Sequence, residues 1–281
     1  MWVIAGIATC WSIAPVQATV FMIDEFGIDR NGGVFFSDTF SNGSPPPNVP
    51  SATFGDGAPA YYGVSGTLGP ESGGKLALNT SLGDLSFNFD ESAFIKQVRA
   101  RANSNINPAN LANGLKSDDT FSVFGIFDLI LPATRERYGV RLTDNSAVEG
   151  SDNVDMTVTR RLDGTLVIEF RHTDNLGNIQ TIVDSVLLDP SHDQIGLALE
   201  RNDTTNNVIT GVFAYFDGGV EGPATEFGNS TTIFNGENWT RAEFRASERI
   251  TAVPEPSVAM LLGSGLIGWG AVAFRRRRAT R

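Results

Sequence analysis

Cysteine is almost absent from this chain of 281 residues: Cys10 is the single one, so no disulfide can form within the chain. The two histidines, His172 and His192, are too few for a cysteine/histidine zinc site. Basic residues are also fewer than acidic residues, and the resulting formal charge of -11 argues against a nucleic-acid partner. Methionine is scarce while glycine is frequent, a composition that favours strands and turns over a helical bundle.

The N-terminal segment, residues 1–18, has no charged side chain and is mostly apolar. Its length suits the apolar region of a secretory signal peptide and is short for a membrane span. Val16-Gln17-Ala18 supplies small residues for cleavage after Ala18. We therefore predict a signal segment that engages the secretion translocon and signal peptidase. The alternatives are lipid attachment at Cys10 and a buried N-terminal strand.

The C-terminal segment, residues 253–281, has three parts in a fixed order. Pro254-Glu255-Pro256 comes first, residues 258–274 are uncharged, and Arg275, Arg276, Arg277 and Arg278 follow. As a helix the uncharged part would span roughly 26 Å, close to the ~30 Å of a bilayer's hydrocarbon core. Arginines stay on the cytoplasmic side of a membrane, so the cluster predicts a stop-transfer signal after a transmembrane helix.

This tripartite tail resembles the PEP-CTERM sorting signal of Gram-negative bacteria. The resemblance implies that an exosortase, a membrane cysteine protease, recognises Pro254, Glu255 and Pro256 and removes or transfers the tail. It also implies a transient inner-membrane anchor, a final place at the cell surface or outside the cell, and a link with exopolysaccharide and biofilm matrix. A simple C-terminally anchored membrane protein is the alternative.

The body, residues 19–252, reads as one domain of short strands. Apolar and polar residues alternate from Asn153, a turn follows at Asp163-Gly164, and the pattern predicts a three-strand meander up to Leu188. Phe121–Leu131 is a further predicted strand, expected in the middle of a sheet and paired with Tyr138–Leu142. Trp239–Glu248 is also predicted as a strand. Ala93–Ala102 is predicted as a strand too, with a helix as the alternative.

These strands predict an all-β fold, an antiparallel β-sandwich of the jelly-roll type. The order and pattern of the predicted strands resemble the concanavalin A-like lectin/glucanase superfamily, including laminin-G-like domains. Phe54-Gly55-Asp56-Gly57 near the start of the body and Val212–Phe216 near its end contribute to this resemblance. That resemblance concerns the fold, and a fold does not determine function.

Catalytic patterns are missing from the sequence, so we predict that the protein is not an enzyme. The glucanases of that superfamily carry Glu-x-Asp-x-x-Glu on one strand, and this chain has no such triplet. Asp189-Pro190-Ser191-His192-Asp193 contains serine, histidine and acid side by side, but adjacency in sequence is not triad geometry. We interpret these residues as a turn with local hydrogen bonds.

Two kinds of binding site remain open. Asp152, Asn153 and Asp155, with Asp217 elsewhere, provide the oxygen ligands that Ca²⁺ prefers, although the same residues are ordinary turn formers. Sugars stack on exposed aromatic rings, for which the candidates are Tyr61, Tyr62, Tyr215 and Trp239. The sequence thus predicts an exported, non-enzymatic surface or matrix protein that binds exopolysaccharide. The alternatives are a secreted glycan-active hydrolase with an unfamiliar site and an inert matrix protein.

Overall fold

A computed structural model describes residues 19–46, 61–88, 93–102, 115, 119–144, 153–174, 179–205, 208–230 and 239–250. The predicted signal segment, the C-terminal segment with the predicted transmembrane helix, and the segment around Phe54 lie outside these residues. Within the described part of the chain, no helix has the length and apolarity needed to cross a membrane.

The described residues contain sixteen strands and one short 3₁₀ turn, which confirms the all-β prediction. The 3₁₀ turn is Thr80–Leu82. The strands are β1 Val20–Arg30, β2 Gly33–Asp38, β3 Tyr61–Ser65, β4 Leu76–Asn79, β5 Asp84–Asn88, β6 Ala93–Ala102, β7 Phe121–Asp128, β8 Glu136–Asp144, β9 Asn153–Arg160, β10 Leu166–Asp174, β11 Ile179–Leu187, β12 Gln194–Arg201, β13 Ile209–Asp217, β14 Val220–Glu221, β15 Thr225–Ser230 and β16 Trp239–Ile250.

The strands form two antiparallel sheets. The first sheet has the order β14-β13-β12-β7-β1-β2, with β15 also paired to β13 and β4 to β1. The second has the order β11-β10-β9-β8-β16-β6-β3, with β5 also paired to β6. The predicted meander is confirmed, because β9, β10 and β11 are consecutive neighbours. Ala93–Ala102 is a strand, as expected, and β16 lies in the middle of the second sheet.

The core lies between the two sheets and follows from alternation along each strand. In β7, Phe121, Val123, Gly125 and Phe127 are buried, while the alternate residues are partly exposed. In β16, Phe244 is buried and its ring packs edge-on against Phe26 of the first sheet, with centroids 5.2 Å apart. Alternation thus gives each sheet an apolar face that points toward the other sheet, and burying these two faces against each other defines the sandwich.

The predicted pairing of Phe121–Leu131 with Tyr138–Leu142 is wrong. β7 lies in the first sheet between β1 and β12, whereas β8 lies in the second sheet between β9 and β16. The connection contains Pro132, which cannot donate a backbone hydrogen bond to a ladder. The two strands instead meet across the core, where the rings of Phe127 and Tyr138 lie 5.3 Å apart.

Candidate functional site

The second sheet has a strongly charged face on the side away from the core. In β16, Ala242, Phe244 and Ala246 enter the core, so the intervening Glu243, Arg245 and Ser247 lie on the opposite face. The neighbouring strands follow the same rule and add further arginines and carboxylates to this side. We call this surface the outer face of the second sheet.

Strand register aligns five charges of alternating sign across the middle of this face. Directly paired positions give the order Arg101, Glu243, Arg141, Asp155 and Arg171 over β6, β16, β8, β9 and β10. We call these five residues the charged row. Arg101 Nε donates to Glu243 Oε2 at 3.0 Å, and Arg141 Nε donates to Asp155 Oδ1 at 2.6 Å. Opposite charges on directly paired strand positions stabilise a sheet.

Glu169 provides a second ion-pair centre beside the charged row. Its carboxylate accepts a hydrogen bond from Arg161 Nε at 2.8 Å and further hydrogen bonds from Arg171. Glu169 is fully buried, whereas Arg161 is about one-third exposed. The carboxylate therefore lies beneath the two guanidinium groups and holds them in place.

Arg245 is the exception in this network. Its side chain is fully buried, and among the described residues none of its three guanidinium nitrogens has a hydrogen-bond partner. The nearest opposite charge is Asp155, whose Oδ1 lies 3.5 Å from Arg245 Nη2. Buried polar groups in proteins are nearly always hydrogen-bonded, so an unsatisfied guanidinium marks a position that favours an additional acceptor.

The pKa values on this face reflect burial and crowding of positive charge. Burial first, and the neighbouring Arg141 next, lower the pKa of Arg245 to about 10. Burial and Arg245 also hold the pKa of Arg137 well below its ordinary value. Burial alone would raise the pKa of Glu243, but the surrounding arginines outweigh it and lower that pKa to about 2. Among the described residues, this face therefore holds ionised carboxylates and a larger number of guanidinium groups.

A groove of about 570 Å³ opens at one end of the outer face. Six arginines among the described residues line it, together with the two acids Asp163 and Glu169; these arginines are Arg135, Arg137, Arg160, Arg161, Arg171 and Arg249. We call it the arginine groove. Its volume falls within the range of about 300–1,000 Å³ that is usual for ligand sites. Guanidinium groups bind carboxylates and other oxyanions through paired N–H donors, so the lining is suited to anions.

The structure does not bring the predicted sugar-stacking residues together in one sheet. Tyr61 and Tyr62 lie in β3 and Trp239 begins β16, all in the second sheet, and their side chains lie outside the described part of the structure. Tyr215 lies in β13 of the first sheet, where its hydroxyl accepts a hydrogen bond from the Asp189 backbone at 2.9 Å. The role of these four residues stays a prediction.

The predicted calcium ligands are also divided. Asp155 contacts Arg141 of the charged row, Asn153 is buried in the same strand, and Asp217 lies in the first sheet, with its Oδ2 2.8 Å from His192 Nδ1. Asp152 lies outside the described residues. In the described ranges, no group of three or more histidine, cysteine, aspartate or glutamate side chains is placed to hold a metal ion. The calcium site stays a prediction.

The turn interpretation of Asp189–Asp193 is confirmed. The Ser191 backbone and hydroxyl both donate to Asp189 Oδ1, at 3.0 and 2.6 Å. His192 instead stacks on Tyr215 with ring centroids 4.3 Å apart. The serine hydroxyl is thus bonded to the aspartate and not to the histidine, which is not the order of a hydrolase triad.

Comparison with protein-family models decides the nature of the tail. Residues 252–278 match the model of the PEP-CTERM protein-sorting motif. The chain carries a PEP-CTERM sorting motif. This confirms the interpretation of Pro254-Glu255-Pro256, the uncharged span and the arginine cluster as one signal. A PEP-CTERM motif marks an exported protein that is sorted at the membrane, with an exosortase as its processing partner.

No curated protein matches the chain. Among solved structures, a GH43_12 protein retrieved from capybara gut metagenome is similar with a TM-score of 0.32 and 15% identity, over 56% of this chain and 26% of that chain. A mutant alginate lyase in complex with alginate trisaccharide gives a TM-score of 0.28 and 8% identity, over 62% of this chain and 85% of that chain. At these TM-scores the two likenesses carry no argument about this chain.

Proposed function

We propose that this PEP-CTERM protein is a non-enzymatic component of the cell surface or extracellular matrix whose sandwich binds exopolysaccharide on the outer face of the second sheet. The arginine groove is the observation that carries the proposal, because it is a ligand-sized depression lined by fixed hydrogen-bond donors. A jelly-roll sandwich of the concanavalin A-like kind is part of the proposal, supported by the two broad antiparallel sheets.

The chemistry of the face supports binding over catalysis. A glycosidase needs a carboxylic acid that keeps its proton near neutral pH, which requires a raised pKa. Here the arginines lower the pKa of Glu243, and Arg141 and Arg245 lower that of Asp155 against the effect of burial. The acids in the described lining of the arginine groove are engaged as well: hydrogen bonds from Thr165 lower the pKa of Asp163, and the Glu169 carboxylate accepts hydrogen bonds from Arg161 and Arg171.

Export completes the proposal. The signal segment would engage the secretion translocon and signal peptidase of a Gram-negative cell, and residues 258–274 would anchor the chain transiently in the inner membrane. Exosortase processing at Pro254-Glu255-Pro256 would then release the sandwich to the surface or to the biofilm matrix.

A retention experiment tests the binding part of the proposal. Exopolysaccharide from the producing cell is immobilised, and the exported protein is applied with added calcium and, separately, with a calcium chelator. We expect retention in both buffers, because the arginine groove needs no metal. Retention restricted to the calcium buffer would assign binding to the aspartate clusters, and absence of retention in both would favour an inert matrix protein.

A processing experiment tests the sorting part. The substitution Glu255→Ala leaves the arginine cluster and its effect on orientation intact, so the chain should still insert but should accumulate at full length in the membrane fraction. Intact-mass measurement of the wild-type extracellular protein should show loss of Arg275–Arg278. Wild-type protein that stays at full length in the membrane would support the plain anchor.

A further inference from the structure

We propose that the arginine groove recognises the anionic groups of an acidic polysaccharide, carboxylates or sulfates carried by its sugars, and does not bind neutral glycans. This inference rests on the proposed function and specifies the class of polysaccharide. It depends on the local charge, on the fixed geometry of the groove, and on the unsatisfied guanidinium beside it.

The charge of the groove is opposite to that of the chain. The described lining carries six guanidinium groups and two carboxylates, in a protein whose formal charge is -11. Because the remaining surface is therefore strongly acidic, the concentration of arginines here is not a by-product of composition. A depression of one sign concentrates ligands of the other sign, which makes the groove an anion site.

The groove is organised in advance of binding. Glu169 holds Arg161 and Arg171 from below, and Arg160 donates to the carbonyl oxygens of Pro132, at 2.8 Å, and Gly164, at 3.2 Å. The Arg249 backbone donates to the Arg135 carbonyl, which ties the two sides of the groove together. Binding therefore requires little ordering of the Arg160, Arg161 and Arg171 side chains, and that reduces its entropic cost.

The buried Arg245 is the independent observation. It lies two residues before Ser247, which lines the groove, on the same side of β16. Its guanidinium has no hydrogen-bond partner among the described residues. Burial and mutual repulsion disfavour the charged forms of Arg245 and of Arg137, which lines the groove, and both pKa values are lowered accordingly. An anion in the groove would relieve that repulsion.

The dimensions favour sugars over nucleic acid. A volume of about 570 Å³ accommodates a few sugar residues with their anionic groups. Duplex DNA is bound by a broad basic face or by an element that enters its groove, and the acidic remainder of this chain would repel the flanking phosphates. Nucleic acid is therefore one of the outcomes that the experiment distinguishes.

Affinity electrophoresis of the full-length chain in mild detergent tests the proposal. Native gels contain polygalacturonate, a sulfated galactan, neutral dextran or duplex DNA at equal mass. We expect retardation by polygalacturonate or the sulfated galactan and none by dextran or DNA. The retardation should disappear in about 1 M salt, where the Debye length falls to about 3 Å.

Three variants locate the effect. Arg161→Gln combined with Arg249→Gln removes a partly exposed and an exposed charge of the groove, and the loss of their charged hydrogen bonds should weaken retardation at least about tenfold. Arg161→Lys with Arg249→Lys retains the charge and should restore most of the retardation. Arg30→Gln, on the first sheet, removes an arginine that lies over the Phe35 ring and should change nothing.

The outcomes separate this inference from the proposed function. Retardation by dextran alone, or retention on the producer's exopolysaccharide without retardation by either acidic glycan, overturns the anionic specificity and leaves exopolysaccharide binding standing. Equal retardation by DNA overturns the assignment to a glycan. Failure in every gel, together with failure of the retention experiment, removes both proposals. Equal loss in the glutamine and Arg30→Gln variants contradicts the location of the site.

Discussion

The two outer faces of this sandwich differ although the sheets share one core. On the first sheet, the side away from the core carries Phe124, Ile126, Val212, Ala214 and Phe216 around a smaller groove of about 330 Å³. On the second sheet, the corresponding positions carry the charged row and the arginine groove. The cores require only apolar residues at alternate positions, so the other positions are free to differ. On the second sheet these outward positions hold buried charges that are incompletely hydrogen-bonded, which makes the folded state less stable than apolar residues would. We infer that ligand binding is the reason for these charges.

The largest expected effect comes from removing a carboxylate of the charged row. Glu243→Gln leaves the charges of Arg99 and Arg101 without this buried counter-ion, while Arg141 keeps its ion pair with Asp155. Breaking a buried ion pair at one partner costs about 3–5 kcal/mol of unfolding free energy. Urea denaturation measures the loss. The matched control is Glu226→Gln at an exposed position of the first sheet, which should cost less than about 0.5 kcal/mol.

A smaller difference should separate two glycine substitutions. A Cβ at Gly139 in β8 would lie 2.0 Å from the Met156 carbonyl oxygen, which is backbone and cannot move without shifting β9. A Cβ at Gly27 in β1 would meet the ring of Phe124 at 2.3 Å, but that ring lies on the outer face and can rotate away. We expect Gly139→Ala to lower the unfolding free energy by about 3 kcal/mol and Gly27→Ala by about 1 kcal/mol. Equal losses in thermal denaturation would show that the two faces are equally rigid.

Lowering the pH should reduce the free energy of unfolding, because carboxylates of the second sheet become protonated. The pKa values of Glu243 and Asp155 are lowered in the folded state, so their contribution is complete above the ordinary carboxylate pKa, near 4, and is lost as the pH falls toward the lowered values. Urea midpoints measured from about pH 7 to about pH 3 should therefore fall with pH. Glu243→Gln should flatten that fall and Glu226→Gln should not. Identical slopes in both variants would contradict the assignment.

The opposite sign is expected for Arg245→Met. This change removes a buried guanidinium that has no hydrogen bond among the described residues, while Asp155 keeps its contact with Arg141. The variant should be more stable than wild type by about 1–2 kcal/mol, yet it should bind acidic glycan more weakly. Thermal denaturation and affinity electrophoresis of one preparation give both values. Lower stability with unchanged binding would make Arg245 a structural residue.

Sequence patterns predicted the sandwich because period-two alternation determines which face of a strand is buried. The same reasoning failed for Phe121–Leu131 and Tyr138–Leu142, since closeness along the chain suggested a hairpin. The pairing depends instead on packing across the core, where Phe127 meets Tyr138. The first strand, Val20–Arg30, was not predicted individually, although its buried residues include Phe21, Phe26 and Ile28.

The charged outer face of the second sheet was missed for a related reason. Charges at every second position are visible in the sequence, as in Arg99 and Arg101 or Glu243 and Arg245. Their meaning depends on which strands are neighbours, and Arg101 and Glu243 are 142 positions apart. Charged residues at alternate positions of several strands could have indicated that one face of a sheet is polar. The sequence does not show the strand register, however, and it is the register that brings those charges into one row.

Calorimetric titration with an oligogalacturonate tests the central claim most directly, that the outer face of the second sheet is the binding face. Three full-length proteins are compared: wild type, the double variant Arg161→Gln with Arg249→Gln, and Phe216→Leu on the outer face of the first sheet. The account predicts one site in wild type, the same affinity in Phe216→Leu, and binding at least about tenfold weaker in the arginine variant. Binding that survives in the arginine variant and is lost in Phe216→Leu would place the ligand on the first sheet and contradict the account.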